Sequence, residues 1–256
     1  MMVLSSASSS ASDFNSNMTK DKNKDIINIE YNHLNLPKEV NFTTGNDLGS
    51  NAIHYTYDAT GTKLRKEVIT YRGNSKNHDI TNYENAFITK ASKNYSYDGQ
   101  FWIGNEVGHG IKFISHPEGY IEPNNQGSFD YTYQYKDHLG NIRLSYKDTN
   151  NNGSVDSSEI VEENNYYPFG LKHKGYNNVV NGTDYPYGYL ACPGRSRRSK
   201  EENNELGLEW LNFGARNYDA SLGRWMNIDP EADKYYQLSP YQAMANNPIV
   251  FVDPDG

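Results

Sequence analysis

The chain of 256 residues has a formal net charge of -8, with 36% hydrophobic residues, 22 tyrosines and 21 glycines. This acidic balance argues against nucleic-acid binding, which needs a basic face for phosphate contacts. No apolar run reaches the length of a membrane span, and the single cysteine, Cys192, excludes an intramolecular disulfide framework. Tyrosine supplies much of the apolar surface and favours strands, so the composition predicts an all-β chain with short strands and many turns.

Residues 1–28 begin with a serine-rich stretch that lacks the basic region and the long apolar region of a signal peptide. Two interpretations of this segment stand side by side. Residues 13–19, which read DFNSNMT, are similar to the second half of the repeat described next, which predicts a truncated repeat and a chain that is the tail of a longer array. The alternative is a disordered leader.

A degenerate repeat runs through residues 29–187. The repeated unit is two aromatic residues separated by one other residue, then Asp, a Gly or Asn turn and a basic or polar strand, and the weaker copies match it in part. Alternate side chains face one side of the strand, Asp bonds the turn backbone and Gly permits positive φ, so each copy predicts a β-hairpin. Successive hairpins predict one continuous curved sheet. The copies lie at 29–37, 55–64, 95–99 and 133–144, and the polar stretch 71–93 between them shows no interpretable pattern.

Residues 148–159 match the twelve-residue calcium loop of EF-hands at its diagnostic positions. Calcium prefers six to eight oxygen ligands, and the loop offers them at the required spacing. The candidate ligands are Asp148, Asn150, Asn152, the carbonyl of Ser154, Asp156 and Glu159. The flanking residues alternate as strands, so an Asn- and Gly-rich hairpin turn without an ion is the alternative. The sequence predicts Ca²⁺ here and leaves the plain turn open.

Residues 188–204 interrupt the repeat pattern. They contain Cys192 and a group of three arginines in an otherwise acidic chain, namely Arg195, Arg197 and Arg198. One interpretation is an exposed basic loop that proteases or anions can reach; the other is a local insertion without function, which the intact pattern on either side favours. Cys192 has no accompanying His and Asn pattern that would make it a nucleophile.

Residues 205–256 carry the densest series of motifs: GARNYD at 214–219, LGRW at 222–225, Asp-Pro pairs at 229–230 and 253–254, and DPDG at 253–256. This series closely resembles the RHS repeat-associated core domain, and the upstream hairpins resemble the YD repeats of RHS proteins and of the C components of Tc toxins. The resemblance implies a curved, shell-like sheet with a short C-terminal plug that is α-helical or irregular. A Ser239 N-cap and Pro240 predict a short helix over 238–247.

The resemblance also implies a reaction. In the family, the chain is cut after the terminal Asp-Pro-x-Gly motif, which frees a toxin domain downstream in the same polypeptide. Matching the motifs gives Asp229 and Asp253 as the catalytic pair, with Arg224 beside them. One carboxylate activates water while the other, protonated, polarises the peptide carbonyl, and arginine orients the pair. Asp-Pro pairs that only start turns are the alternative. Any catalysis is at most single-turnover, aspartic-type autoproteolysis in the intact parent protein.

Two functions from different classes follow from the sequence. The first is the C-terminal shell and core segment of an RHS/YD-repeat toxin, which encloses and releases the downstream toxin domain and is secreted or lies at the cell surface. The second is a cell-surface YD-repeat protein whose exposed tyrosines stack on carbohydrate. A non-functional remnant of a longer array is a third possibility.

Overall fold

The computed structural model describes residues 10–173, 185–190 and 200–253. These residues form two antiparallel sheets and contain no α-helix, which confirms the predicted all-β class. The large sheet has thirteen strands in chain order, each paired with the next, and it stays open; the small sheet has four. Among the described residues, no helix is long and apolar enough to cross a membrane.

The strands of the large sheet lengthen toward its middle and shorten again toward its end. They are β1 (Ser10–Ser12), β2 (Met18–Asp21), β3 (Ile26–Tyr31), β4 (Pro37–Asn46), β5 (Gly49–Tyr57), β6 (Lys63–Arg72), β7 (Ser75–Glu84), β8 (Phe87–Tyr97), β9 (Trp102–His116), β10 (Gly119–Pro123), β11 (Phe129–Lys136), β12 (Ile142–Tyr146) and β13 (Ile160–Glu163). The small sheet consists of β14 (Glu201–Asn203), β15 (Trp210–Asn212), β16 (Asn217–Asp219) and β17 (Arg224–Trp225).

The predicted repeats are hairpins that share one kind of turn. In the turn between β5 and β6, Oδ1 of Asp58 accepts the N–H groups of Thr60 and Thr62, both at 2.8 Å, and Gly61 has a φ of +84°. The equivalent side chain also accepts the N–H two residues further on at Asn32, Asp98 and Asp137. A side chain that replaces a backbone acceptor fixes the turn and thereby the register of the two strands.

Two stretches that the sequence left open also form strands. Strands β1 and β2 pair within residues 1–28, and Oδ1 of Asp13 accepts the N–H of Asn17 at 2.8 Å in the turn between them, as in the repeat turns. Residues 71–93 continue β6 and form β7 and the first part of β8. Most of their side chains are polar, and the buried apolar ones, Ile80, Ile88 and Ala91, do not recur at every second position. The alternation that marks a half-buried strand is therefore absent from the sequence.

One face of the large sheet packs on the small sheet and its loops. Val40, Phe42 and Ile53 form a buried cluster with Leu208 and Trp210. A second cluster lies inside the C-terminal region and contains the edge-to-face rings of Phe213, Tyr218 and Trp225. A third joins Phe113 and Tyr120 to Tyr185 and Tyr187. The contact between the two sheets therefore mixes aliphatic and aromatic side chains, whereas aromatic rings make up at least half of the other two clusters.

A buried group of charges also connects the two sheets. Lys66 on β6 lies 2.8 Å from Glu201 and 2.5 Å from Glu205, and Lys63 pairs with the other oxygen of Glu201. Burial alone would raise the pKa of Glu201, but Lys63 and Lys66 outweigh it and hold that pKa at about 2. Buried charges are tolerated when they are paired in this way, so the group fixes the position of the small sheet on the large one.

The helix predicted over residues 238–247 is absent. The segment contains turns and a 3-10 helix, Met244–Asn246, whose residues have φ values of 48°, 48° and 56°. These left-handed angles interrupt an α-helix of L-residues. Ala243 and Met244 are buried in the cluster around Trp225, so tertiary packing overrides the local capping signal. The C-terminal segment is therefore irregular, which is one of the two forms predicted for it.

Candidate functional site

Arg216 lies between the two aspartates that the motifs single out. Its Nη2 is 3.0 Å from Oδ2 of Asp229 and 3.2 Å from Oδ2 of Asp253. The fold therefore brings both carboxylates, which are far apart in the chain, to one nitrogen atom. The two aspartate side chains are partly exposed, whereas Arg216 is buried, so solvent reaches the acids from one side and the guanidinium supports them from the other.

One backbone contact and two side-chain contacts hold Arg216 in place. The residue follows the tight turn between β15 and β16, where its carbonyl accepts the N–H of Phe213 at 3.0 Å. The guanidinium lies over the ring of Trp225, 4.3 Å from its centroid, and Nη1 donates to the Pro240 carbonyl at 3.4 Å. Burial lowers the pKa of Arg216, and the carboxylates of Asp229 and Asp253 oppose that effect. A flat aromatic surface and fixed acceptors hold the guanidinium in one orientation.

Asp229 starts a turn and also faces Arg216. Its Oδ1 accepts the N–H of Glu231 at 2.7 Å and so starts a turn, while its Oδ2 faces Arg216. Its own N–H donates to the Pro240 carbonyl at 3.0 Å, which anchors the turn to the same segment that contacts Arg216. The turn therefore positions the carboxylate.

Arg224, the arginine assigned to the pair by motif, lies elsewhere. Its guanidinium lies over the ring of Tyr241 at 4.8 Å, and its Nε donates to the Trp225 carbonyl at 3.4 Å. Arg216, and not Arg224, lies beside the two aspartates. The motif LGRW pointed to Arg224, and Arg216 inside GARNYD was missed. Arg216 directly precedes β16, whose three residues are buried; a charge next to a buried strand is the signal that would have identified it.

A cleft of about 1670 Å³ opens beside Asp229. Hairpin turns of the large sheet form one wall, including Leu36 and Gly61, and the loops around Phe213 and Ile228 form the other. Its lining mixes apolar side chains with amide and carboxylate groups. The volume exceeds what a small-molecule site needs and is sufficient for a stretch of polypeptide.

The predicted calcium loop connects β12 and β13 and is closed by its own hydrogen bonds. The two carboxylate oxygens of Asp148 accept the N–H groups of Asn152 and Gly153, at 3.1 and 2.9 Å. Oε1 of the buried Glu159 accepts the N–H of Thr149 at 2.8 Å, and its Oε2 accepts the N–H of Asp156 at 3.2 Å. Both acids therefore bond to the loop backbone.

Three of the other predicted ligands of this loop also bond to its backbone. Asn150, Asn152 and Asp156 each accept the N–H two residues further on. In the part of the chain that the structure describes, no three His, Cys, Asp or Glu side chains form a group that could hold a metal ion. The oxygen donors suit a hard cation in kind, but Glu159 would have to leave its backbone partners to bind one. The calcium site stays a prediction.

Several sequence predictions lie outside the described residues. They concern the single cysteine and the basic group at Cys192, Arg195, Arg197 and Arg198, together with the last three residues of the DPDG motif, 254–256. The carboxylate at Asp253 is the last described residue of that motif, so the aspartate pair itself falls within the described structure.

An open sheet of YD-type hairpins that carries a small, irregular C-terminal core defines a shell-like YD-repeat fold. The same fold is found in solved structures of the TcdB2-TccC3 Tc toxin. The chain aligns with TcdB2-TccC3 without its hypervariable C-terminal region at a TM-score of 0.65, with 18% identity over 90% of this chain and 10% of that chain. The TcdB2-TccC3-Cdc42 structure gives a TM-score of 0.63, 18% identity and the same coverage.

Two curated proteins are similar in sequence. Salivary gland surface protein 1 of Aedes aegypti is 30% identical over 157 residues, 48% of this chain and 4% of that protein. Toxin subunit YenC1 of Yersinia entomophaga is 27% identical over 136 residues, 53% of this chain and 12% of that protein. No family model matches the chain. The fold and these likenesses confirm the resemblance to RHS/YD-repeat proteins of the Tc toxin type, and the chain spans at most about an eighth of the relatives it matches.

Proposed function

We propose that the chain is the C-terminal shell and core segment of an RHS-type toxin component, which cuts its own polypeptide after the DPDG motif at 253–256 and frees a toxin domain downstream. The observation that carries this proposal is Arg216, held against Asp229 and Asp253 together. The likeness of fold to the TcdB2-TccC3 toxin supports the shell role. A secreted or cell-surface location is part of the same proposal.

The proposed reaction uses the aspartate pair as acid and base. The ionised carboxylate takes a proton from a water molecule as that water attacks the scissile carbonyl, and the protonated carboxyl group donates to the carbonyl oxygen. The C–N bond then breaks: the leaving nitrogen takes the proton that the first carboxylate received, and the carbonyl re-forms as its oxygen returns a proton to the second. Arg216 touches both side chains through one nitrogen, which orients them toward each other. The cleft beside Asp229 gives the substrate chain room to lie extended.

The test is the intact mass of the protein expressed with its native downstream sequence. We expect the wild type to be cut shortly after Gly256, and Asp229→Asn and Asp253→Asn to stay whole, because an amide cannot take up or donate the required proton. Asp233→Asn is the matched control, since Asp233 is an exposed acid of the same C-terminal segment. An uncut wild type, or cleavage in either of the first two variants, contradicts the proposal.

A second candidate function rests on an exposed aromatic band on β11. Four alternate residues of this strand share one face and are solvent-exposed: Phe129, Tyr131, Tyr133 and Tyr135. Tyr133 also stacks on Tyr146 of the neighbouring strand, with ring centroids 5.9 Å apart. Rings with an apolar face and a polar tip suit stacking on sugars, so cell-surface carbohydrate is the ligand class that this band would take.

Glycan-array binding tests this candidate. A Tyr131→Ala, Tyr135→Ala double variant should lose carbohydrate binding, whereas Tyr236→Ala, which removes an exposed tyrosine outside the band, should retain it. Absence of glycan binding by the wild type, or equal binding by all three proteins, would rule out carbohydrate binding by this band and leave the toxin-shell role as the remaining candidate.

We also propose that residues 148–159 bind Ca²⁺ through oxygens of Asp148, Asn150, Asn152, Ser154, Asp156 and Glu159. The support is the fit of these residue types to the EF-hand spacing. In the structure the buried Glu159 carboxylate faces the loop interior and accepts N–H groups of the loop backbone. A bound ion would replace these N–H groups as the partner of the carboxylate.

A further inference from the structure

Lys66, Asn203 and Glu201 meet in the buried contact between the two sheets. Lys66 belongs to β6 of the large sheet, and Glu201 and Asn203 are the first and third residues of β14 in the small sheet. Residues two apart in a strand point to the same side, so both face the lysine. All three are almost fully buried, with exposed fractions of 3%, 4% and 1% for Lys66, Glu201 and Asn203.

The distances place an amine, a carboxamide and a carboxylate in mutual contact. Nζ of Lys66 is 3.2 Å from Oδ1 of Asn203, 2.8 Å from Oε1 of Glu201 and 2.5 Å from Oε1 of Glu205. The hydroxyl of Tyr83 donates to Oε1 of Glu201 at 2.6 Å and fixes that carboxylate. A nucleophile, an electrophile and a group that can move protons are thus held together away from bulk solvent.

We propose that the side chains of Lys66 and Asn203 join in an intramolecular isopeptide bond that the protein forms by itself, with Glu201 as the catalytic acid and base. The inference stands apart from the proposed self-cleavage, because it uses none of the residues around Arg216.

The reaction balances without any added reagent. Glu201 takes a proton from the Lys66 ammonium, and the lone pair of the resulting amine attacks Cγ of Asn203 to form a C–N bond. Glu201 passes this proton, and the second proton that Nζ gives up, to the departing Nδ2. The Cγ–Nδ2 bond breaks, the nitrogen leaves as ammonium, and Glu201 returns to its ionised form. The products are one amide that joins the two side chains and one ammonium ion.

The environment favours a slow reaction that has to happen once per chain. Burial lowers the pKa of Lys66, but Glu201 and Glu205 raise it by more than burial lowers it. The neutral amine is therefore the minor form. Two reacting groups that a protein holds in the right geometry reach effective molarities of about 10⁵–10⁸ M, which compensates for the small fraction of neutral amine. A cavity of about 340 Å³ beside Lys66, Glu201 and Glu205 gives the ammonium a way out.

The bond would connect the two sheets of a chain that has a single cysteine and therefore no internal disulfide. It would link positions separated by 137 residues. Cross-links that close long loops restrict the unfolded chain and stabilise the folded one. Lys63 would keep its contact with Glu201, so the buried carboxylate remains paired after Lys66 loses its charge.

Intact mass and peptide mapping of the folded wild-type chain test the proposal. We expect a mass lower than the sequence mass by one ammonia, and one branched tryptic peptide that contains both Lys66 and Asn203, because trypsin does not cut after an acylated lysine. Lys66→Arg and Glu201→Gln should show the full sequence mass. Lys63→Arg is the matched control: Lys63 contacts the same glutamate, and its replacement should leave the ammonia loss intact.

The branched peptide separates this bond from a cyclic imide at Asn152-Gly153, which also loses one ammonia but is opened by hydroxylamine, whereas an isopeptide bond is not. If a variant fails to fold, the wild-type peptide map still decides. A folded wild-type chain that keeps its full mass after several days at neutral to mildly alkaline pH, and that trypsin cuts after Lys66, overturns the proposal.

Discussion

The large sheet and the C-terminal region are held together in different ways. In the large sheet, every strand pairs with the next one in the chain, and the turns are closed by side chains two to four residues away, as at Asp58. In the C-terminal region, the principal contacts join residues far apart in sequence. Arg216 reaches Asp253, and Lys24, in the connection between β2 and β3, pairs with Asp219 at 3.2 Å. The sheet is therefore local in origin, and the core is a product of tertiary packing.

This difference determines how each region responds to change. A hairpin in a sequential sheet depends on its own turn and its two neighbours, so damage to it stays local. A core built from long-range contacts loses several of them when one residue is removed, because its members share partners.

Removing Trp210 should cause the largest loss of stability. Its ring is fully buried in the cluster that joins the two sheets, and Trp→Ala changes in cores cost about 3–5 kcal/mol. Trp102 at the β8–β9 hairpin, partly exposed beside Tyr97, is the matched control, and Trp102→Ala should cost about 1 kcal/mol. Urea unfolding measures both variants. Equal losses would show that the core is no more cooperative than the hairpins.

Gly119→Ala should disturb the large sheet locally. A Cβ at this position would lie 1.9 Å from the Thr132 carbonyl oxygen, and the φ of +159° disfavours a side chain. We expect a loss of about 2 kcal/mol. Hydrogen exchange should increase in β10 and β11 and stay unchanged in β14–β17. Gly110→Ala, where a Cβ meets nothing, is the control, and a spread of exchange into the small sheet would contradict the local origin of the large one.

Acid should loosen the contact between the sheets before it opens the hairpins. The folded-state pKa of Glu201, about 2, lies below its usual value of 4.5, so its contribution to stability is fully present above pH 4.5 and is lost as the pH falls toward 2. Asn203→Ala, which cannot form the proposed amide bond, keeps the ion pairs and isolates this effect. Hydrogen exchange of β14 should rise over that range while β4 and β5 stay protected; simultaneous opening of all strands would contradict the prediction.

Changes in the calcium loop should have the smallest effect on the fold, because the loop joins two strands, β12 and β13, that pair with each other. We expect calorimetry to detect one Ca²⁺ per chain, with binding weakened at least about tenfold in Glu159→Gln, since the twelfth position supplies two of the six to eight oxygens. Glu163→Gln, an acid of β13 outside the loop, should bind as the wild type does. No uptake at millimolar calcium would leave the loop as a plain turn.

The sequence was sufficient for the sheet where its signals were local. The tyrosine pair followed by Asp58 and Gly61 predicted the β5–β6 hairpin because the turn geometry is encoded within five residues. The polar strand β7 was missed because neither face shows a hydrophobic alternation. Periodicity therefore detects strands that bury one face on a core and overlooks strands that do not.

The C-terminal site was only partly predictable for the same physical reason. Asp229 and Asp253 stand in motifs, and the structure brings them to one guanidinium. The partner arginine and the absence of a helix at 238–247 depend on packing around Trp225, which places Arg216 under the aspartates and Arg224 on Tyr241. Spacing in the sequence carries no information about which of two arginines a folded loop will face.

The most direct measurement compares Arg216→Lys with Arg224→Lys in the protein expressed with its native downstream sequence. Lysine keeps the charge but cannot reproduce the planar contacts of the buried guanidinium. We predict that intact mass will show Arg216→Lys uncut, or cut at least about tenfold more slowly, and Arg224→Lys cut like the wild type. Normal cleavage in Arg216→Lys together with loss of cleavage in Arg224→Lys would contradict this prediction.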